Sequence, residues 1–480
     1  MLECLLSPLI PATLMLKLWG IIERIIIMET LLQKPYKLGI LDLVNYIVLF
    51  AYSFLFIIMQ SVIYRNYMDE VITAEYLLGL ALTGITVYRF FKLSKEGRLD
   101  WLKLRYATFL YFAVRIATLL LMGFEASTRK TGYFEGVYLL ALSELTIDVK
   151  LLKKWILPTL LSVNLLLNIV NLGTQLFFGV GDEKQPLRHL QFFKAVKKSF
   201  YRYPNFWYHN INYIGIFTAF CLLVAICLVH ERGKLNQKEK ILFGAYVVFQ
   251  GYHIYVSHSR AATLSFLICL IVLVVNDKLK IHPKKVLLGF LAIMVSCIIA
   301  MIGFIVAHDK TGLPYYEGDV QYNELTDLEK TINKASSSRY AIWKNSYYVM
   351  KDPKFLLFGS GNIEREHYNR DDYKKESYAE ITGDTSGFVP NTYAHDHNGY
   401  FAMLTVTGLL GAIFFGITIK KRIDHSLILD KGLWYILFCY AATLNQFEVV
   451  TILHKRSITL ILILILAVST YGKETKANAE

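Results

Sequence analysis

Apolar residues come in one long run after another along this chain, many of them about 20 residues long. A helix of that length crosses the hydrocarbon core of a bilayer. The runs predict spans at 39–63, 71–91, 104–123, 133–147, 155–179, 211–230, 241–257, 261–276, 286–307, 399–419, 432–447 and 457–471. The expected fold is therefore an all-α polytopic membrane protein of about 12 transmembrane helices, with one large extracytoplasmic loop late in the chain. Span 133–147 is short and holds Glu135 and Glu144, so it leans on neighbouring helices. Residues 1–28 are apolar but carry Lys17, Glu23 and Arg24, and Met28 offers a second start. They contain no clean small-residue cleavage site, which argues against a removed signal peptide, and 1–38 is left without an assignment.

Composition sharpens this picture. Of 480 residues 55% are apolar and 19% charged, with a mean hydropathy of +0.40, against roughly 45–50% and about 25% in soluble domains. Soluble globular, fibrous and disordered classes are excluded. The net charge of +13 does not point to nucleic acid, because most Lys and Arg sit in short loops between apolar runs. The six cysteines all lie inside apolar stretches and no Cys-x-x-Cys occurs, so neither a disulfide framework nor a zinc site is indicated.

Loop charge sets the expected orientation. The basic short loops are 92–103, 148–154, 231–240, 277–285 and 420–431, and they alternate with 64–70, 124–132, 258–260 and 448–456, which hold one or two cations each. Short basic loops stay on the cytoplasmic side. That rule makes 133–147 a crossing, puts the tail 472–480 inside and puts 182–209 and 308–398 outside. The expected organisation is a bundle at 39–307, the outer loop at 308–398 and C-terminal helices within 399–471.

The outer loop of roughly 90 residues is long enough to fold over a site, and loops of that length tend to be functional or disordered. Ser336, Ser337 and Ser338 offer cap hydroxyls for a helix that Pro353 ends. Arg339, Trp343, Tyr347 and Met350 then share one helical face. Gly359-Ser360-Gly361 is either a plain loop turn or a place where backbone N–H groups approach an anion. Immediately before span 399–419 stand His395, Asp396, His397 and Asn398. Two histidines beside an aspartate at the mouth of a helix suit proton transfer. A metal reading lacks clustered further ligands. Elsewhere, Arg260 occupies a tight outer turn, and Arg115 sits near the middle of a span. An ionisable group there is a functional candidate or the partner of an acid such as Glu144 or Glu75. Asn164, Asn168 and Asn171 share one face, as interhelical hydrogen bonding requires.

Several of these features together resemble the bacterial O-antigen ligase and polymerase family. His397-Asn398 followed by Gly408-x-x-Gly411 is similar to the family's His-then-polar pair opening a helix with a Gly-x-x-Gly. Ser259-Arg260 is similar to its arginine turn. Arg339-x-x-x-Trp343 followed by Phe358-Gly359-Ser360-Gly361 is similar to its large-loop core, and Asn212-Tyr213-Ile214-Gly215 to a weaker Asn-x-x-Gly element. The resemblance runs in order over roughly 205–420 and includes the topology.

What the resemblance implies is glycosyl transfer on the outer face of the cytoplasmic membrane, from a glycan linked through a diphosphate to undecaprenol. The acceptor is another lipid-linked repeat unit in a polymerase, for O-antigen or capsule, and a lipid A core sugar in a ligase. The polymerase is the favoured reading. A lipid-linked oligosaccharide transporter is the non-catalytic alternative, but it predicts repeated halves and short outer loops. Such a transfer needs a base for the acceptor hydroxyl and cations for the departing diphosphate. A neutral histidine supplies the first and arginine forks the second. The expected base is His397, anchored by the adjacent membrane helix; Arg260, Arg339, His395, Asn398, Gly359 and Gly361 are the expected substrate-binding residues. No metal or cofactor is expected. The expected partners are the lipid-linked oligosaccharide, the bilayer and a chain-length regulator or flippase of the same pathway.

Overall fold

The computed structural model describes residues 157–178, 211–257, 259–309, 325–336, 339–351, 353–359, 398–424 and 433–448, with scattered helical positions between 44 and 121. The described residues are helical and contain no strand. In chain order the helices are α1 Leu157–Phe178, α2 Ile211–Arg232, α3 Gln237–Val256, α4 Arg260–Leu279 and α5 Pro283–Ala307. Then come α6 Asp327–Ala335, α7 Arg339–Met350, α8 Pro353–Phe358, α9 Gly399–Asp424 and α10 Tyr435–Leu444. Among the described residues, four helical stretches are long and apolar enough to cross a membrane: Ile214–Arg232, Arg260–Leu279, Lys285–Ala307 and Gly399–Lys420. The last span of the chain, 457–471, and 133–147 lie outside the described residues, and the first, 39–63, is described only at 44, 47, 48 and 51.

α2 is the centre of the bundle. Its residues from Ile214 to Val224 are all buried, and α1, α3, α4 and α10 pack round it. By contrast α4 and α5 keep Leu267, Ile271, Ile293 and Ile299 exposed, which suits helices bordering hydrocarbon. The expected asparagine ladder is present at Asn164 and Asn168. Asn168 Nδ2 donates to Gln250 Oε1 (2.7 Å) and Gln250 Nε2 to Asn164 Oδ1 (3.0 Å), while Asn164 and Asn168 both reach the Thr218 hydroxyl. Amide side chains of α1 and α3 and a hydroxyl of α2 thus satisfy one another in a core that offers no water.

The predicted loop helix is present, with a difference at each end. Thr326 and Glu329 form a capping box that starts α6. Ser336 closes α6, and its Oγ also accepts the Tyr340 amide hydrogen (3.1 Å), so one hydroxyl serves the end of one helix and the start of the next. Pro353 does more than end α7: it is the first residue of α8, where its missing N–H costs nothing. The shared face of α7 is real. Trp343 and Met350 are buried with Tyr340 against Ile298 and Ile305 of α5 and Phe401 of α9. The Trp343 and Phe401 rings stack at 6.1 Å. The loop helices are therefore fastened to the ends of two membrane helices.

Span 432–447 is shorter than the apolar run predicts. α10 has only ten residues, about 15 Å at 1.5 Å per residue. Half a bilayer's thickness of backbone must then be satisfied by other parts of the protein.

Candidate functional site

The shortness of α10 builds the site. A helix leaves its last carbonyls without intrahelical partners, and those of α10 and the following turn are taken up by α9 and α7. Tyr400 Oη donates to the Ala442 carbonyl (3.1 Å), the Gly399 amide to that of Asn445 (2.7 Å) and Asn398 Nδ2 to that of Gln446 (3.0 Å). Arg339 continues the series: Nη1 donates to the Phe447 carbonyl (2.5 Å) and Nη2 to Glu448 Oε1 (2.9 Å). Gln446 Nε2 closes the group by donating to the Met294 carbonyl of α5 (3.0 Å).

Asn398 has a second task. It is fully buried, and its Oδ1 accepts the amide hydrogens of Tyr400 (2.9 Å) and Phe401 (3.1 Å), so it caps the start of α9. Gly399 is closely covered by a side chain, since a Cβ there would lie 1.7 Å from Asn445 Oδ1. Whatever precedes Asn398 in the chain is thus delivered to a fixed point. His395, His397 and Gly361 lie outside the described residues.

Arg339 is an α7 residue held across to the 446–448 turn by a fork that no lysine reproduces. Its side chain is 19% exposed and that of Glu448 8%. Two of its five N–H donors have these partners. In the sequence, 448–456 reads only as a connecting loop; 109 residues separate Glu448 from Arg339, and no local pattern signals the pair.

Arg260 is exposed as the first residue of α4, with Ser259 as N-cap. Its turn is set by Gly215 of α2, where a Cβ would stand 2.3 Å from Ser257 Oγ and 2.9 Å from Ser259 Cβ. The Asn-x-x-Gly element therefore works through its glycine, which lets the arginine turn press on α2. Asn276 Nδ2 donates to Tyr435 Oη (2.9 Å) at the far end of α4. Because α4 and α10 run antiparallel, Arg260 lies on the side of the bundle where α10 gives way to 445–448.

Gly359 lies elsewhere, deeper along α9. It has φ +77, and a Cβ on it would come within 2.3 Å of the Val406 carbonyl group. Gly408, which the sequence reading placed inside a continuous helix, has φ 66 and ψ −177 and breaks α9 in two. A Cβ there would meet the Leu357 carbonyl oxygen at 2.3 Å. Gly359 after α8 and Gly408 of α9 are thus two halves of one backbone-to-backbone contact.

Beside this site the loop helices are pinned by a buried acid. Glu329 accepts hydrogens from Lys344 Nζ (2.7 Å), Tyr340 Oη (2.7 Å) and the Thr326 amide (2.8 Å). Burial alone would push its carboxyl up, but those hydrogen bonds and the lysine charge outweigh burial and bring it down to about 2. Burial and the nearby Asp309 carboxylate push the Tyr347 phenol up. No group of three or more His, Cys, Asp and Glu placed for a metal ion occurs among the described residues.

These features define a helical membrane protein whose helices α6 to α8, α10 turn and α9 entrance meet at one junction. Residues 245–416 match the family model described as O-antigen ligase. That stretch, which runs from α3 through the arginine turn and the loop helices into α9, is similar to an O-antigen ligase domain, and the match supports a membrane glycosyltransferase-like function of ligase or polymerase type. A search of curated proteins found no match.

Proposed function

We propose that the chain is a polymerase of undecaprenyl-diphosphate-linked repeat units for a bacterial surface polysaccharide, O-antigen or capsule, acting on the outer face of the cytoplasmic membrane. The observation that carries the reading is the meeting of Arg339 and Asn398, both in the matched segment, with the 446–448 turn at the α9 entrance, next in sequence to His397. On this reading His397 takes the proton from the acceptor sugar hydroxyl. The hydroxyl oxygen then bonds to the anomeric carbon of the donor glycan as the bond to the lipid diphosphate breaks. Arg260 and Arg339 carry the diphosphate charge as it leaves, through charged hydrogen bonds, with no metal ion taking part. His395 lies near the acceptor, and Asn398, Gly359 and Gly361 give the site its shape. The loop 308–398 faces outward, and a chain-length regulator or flippase of the same pathway is the expected protein partner.

The test is the glycan ladder of a strain lacking the chain. A polymerase leaves single repeat units on the acceptor, and re-expression restores long glycan. Loss of all acceptor-bound glycan makes the chain a ligase, and an unchanged ladder refutes both.

A further inference from the structure

The break in α9 has a partner from far earlier in the chain. Residues 110, 111, 113–118, 120 and 121 are helical, and Arg115 among them is 2% exposed. Its Nη1 donates to the Val406 carbonyl (3.0 Å), two residues before the non-helical Gly408. One turn later Thr118 Oγ1 lies 2.6 Å from the Phe358 carbonyl and 2.9 Å from that of Val114, which share its single proton. Phe358 ends α8 and leads into Gly359, the residue that presses on Val406 and Thr407. Nine residues separate Gly399 from Gly408, so the break lies about 13 Å along α9. At that depth an interrupted backbone persists only where protein satisfies it.

We infer that Arg115 and Thr118 are positioning residues of the transfer site. They hold the Val406 and Phe358 carbonyls, and through them the half-helix 399–407, whose far end carries Asn398 and next to it His397. This rests on the reading of the chain as a polymerase. The half-helix is fixed at its upper end by the Asn398–Gln446 and Gly399–Asn445 bonds and at its lower end by Arg115. Gly408 removes the stiffness that a continuous helix would lend, so the lower fastening sets the tilt. Glu75 and Glu144, the expected acidic partners of Arg115, lie outside the described residues. A positioning group acts on the rate of the chemical step, since small displacements of a base can cost about a hundredfold, and leaves donor binding alone.

The experiment has two arms on the full chain purified in detergent. Hydrogen-exchange mass spectrometry compares wild type with Arg115→Met and Thr118→Val; both variants should exchange faster over 353–359 and 399–407 and unchanged over 409–424. Kinetics use undecaprenyl-diphosphate-linked repeat units from the deletion strain as donor and acceptor. Here kcat should fall roughly tenfold to a hundredfold with KM for the donor within about twofold, and Arg115→Lys and Thr118→Ser should each recover part of the loss. A raised donor KM at unchanged kcat makes Arg115 a substrate ligand and overturns the inference. So does an exchange pattern that is unchanged or uniformly faster along α9. If Arg115→Met does not fold, Thr118→Val, which removes one hydroxyl at constant shape, decides alone. A wild-type chain that elongates nothing refutes the polymerase reading, and with it the inference; an active wild type with indifferent variants refutes the positioning role by itself.

Discussion

Arg339 and Glu448 offer a perturbation whose size follows from their surroundings. Removing one partner of a well-buried ion pair costs about 3–5 kcal/mol, because a desolvated charge is left behind. Glu448 meets that condition at 8% exposure, but Arg339 at 19% sits partly in reach of water, which brings the figure for Arg339→Met to about 3 kcal/mol. Glu448→Gln keeps an acceptor oxygen for Nη2 and leaves Arg339 bonded to the Phe447 carbonyl, so about 1 kcal/mol is expected. The double variant has no stranded charge and should lose about 2 kcal/mol, a coupling of about 2 kcal/mol. Unfolding in mixed micelles with increasing dodecyl sulfate measures all three. Parallel glycan analysis separates fold from chemistry: Arg339→Lys should keep most of the stability yet yield short glycan, because one ammonium cannot span Phe447, Glu448 and a diphosphate. A coupling below about 0.5 kcal/mol would show that the pair is not a unit and would refute the reasoning.

Three further outcomes are expected. Gly408→Ala should sharply reduce folded yield, measured by gel filtration in detergent, since its dihedrals suit glycine and a Cβ would strike the Leu357 carbonyl at 2.3 Å; Gly416→Ala, with open space around it, should be neutral. Glu329 has a folded carboxyl near 2, below its ordinary value of 4.5, so its contribution is complete above about pH 4.5 and is lost as pH falls toward 2; thermal melts against pH should show that loss in wild type and a flatter profile in Glu329→Gln. His397→Ala should abolish long glycan at normal protein level, a loss of about 10²–10⁴ in rate, with His395→Ala milder; normal chain length from both variants would remove proton transfer from the mechanism.

Much of the fold was readable because a bilayer restricts the choices. Apolar runs such as 286–307 and 399–419 leave little room except for a helix, and the structure moves their ends by only a few residues. The face shared by Trp343 and Met350 and the amide ladder of Asn164 and Asn168 were legible because helical periodicity puts such residues side by side whatever surrounds them. The site was legible only where it is local. Asn398 and Arg339 are each visible in the sequence, but their union depends on α10 stopping at Leu444, and an apolar run does not mark where a helix ends inside it. Gly408 was seen and misplaced, since glycine in a helix and glycine at a break look alike until Gly359 is found against it. Glu448 carried no signal, because an acid at the edge of a loop is ordinary until an arginine from another helix reaches it.

The amide ladder also bears on how the chain enters the bilayer. α1 presents Asn164, Asn168 and Asn171, all buried, along the stretch that a translocation channel must release sideways into lipid. The partners of Asn164 and Asn168, Thr218 and Gln250, are synthesised 54 and 86 residues after Asn164. Released alone, α1 would expose carboxamides to hydrocarbon with nothing to receive them. The ribosome therefore delivers α1 before the helices that carry its hydrogen-bonding partners, and the ladder closes only once α2 and α3 have joined it.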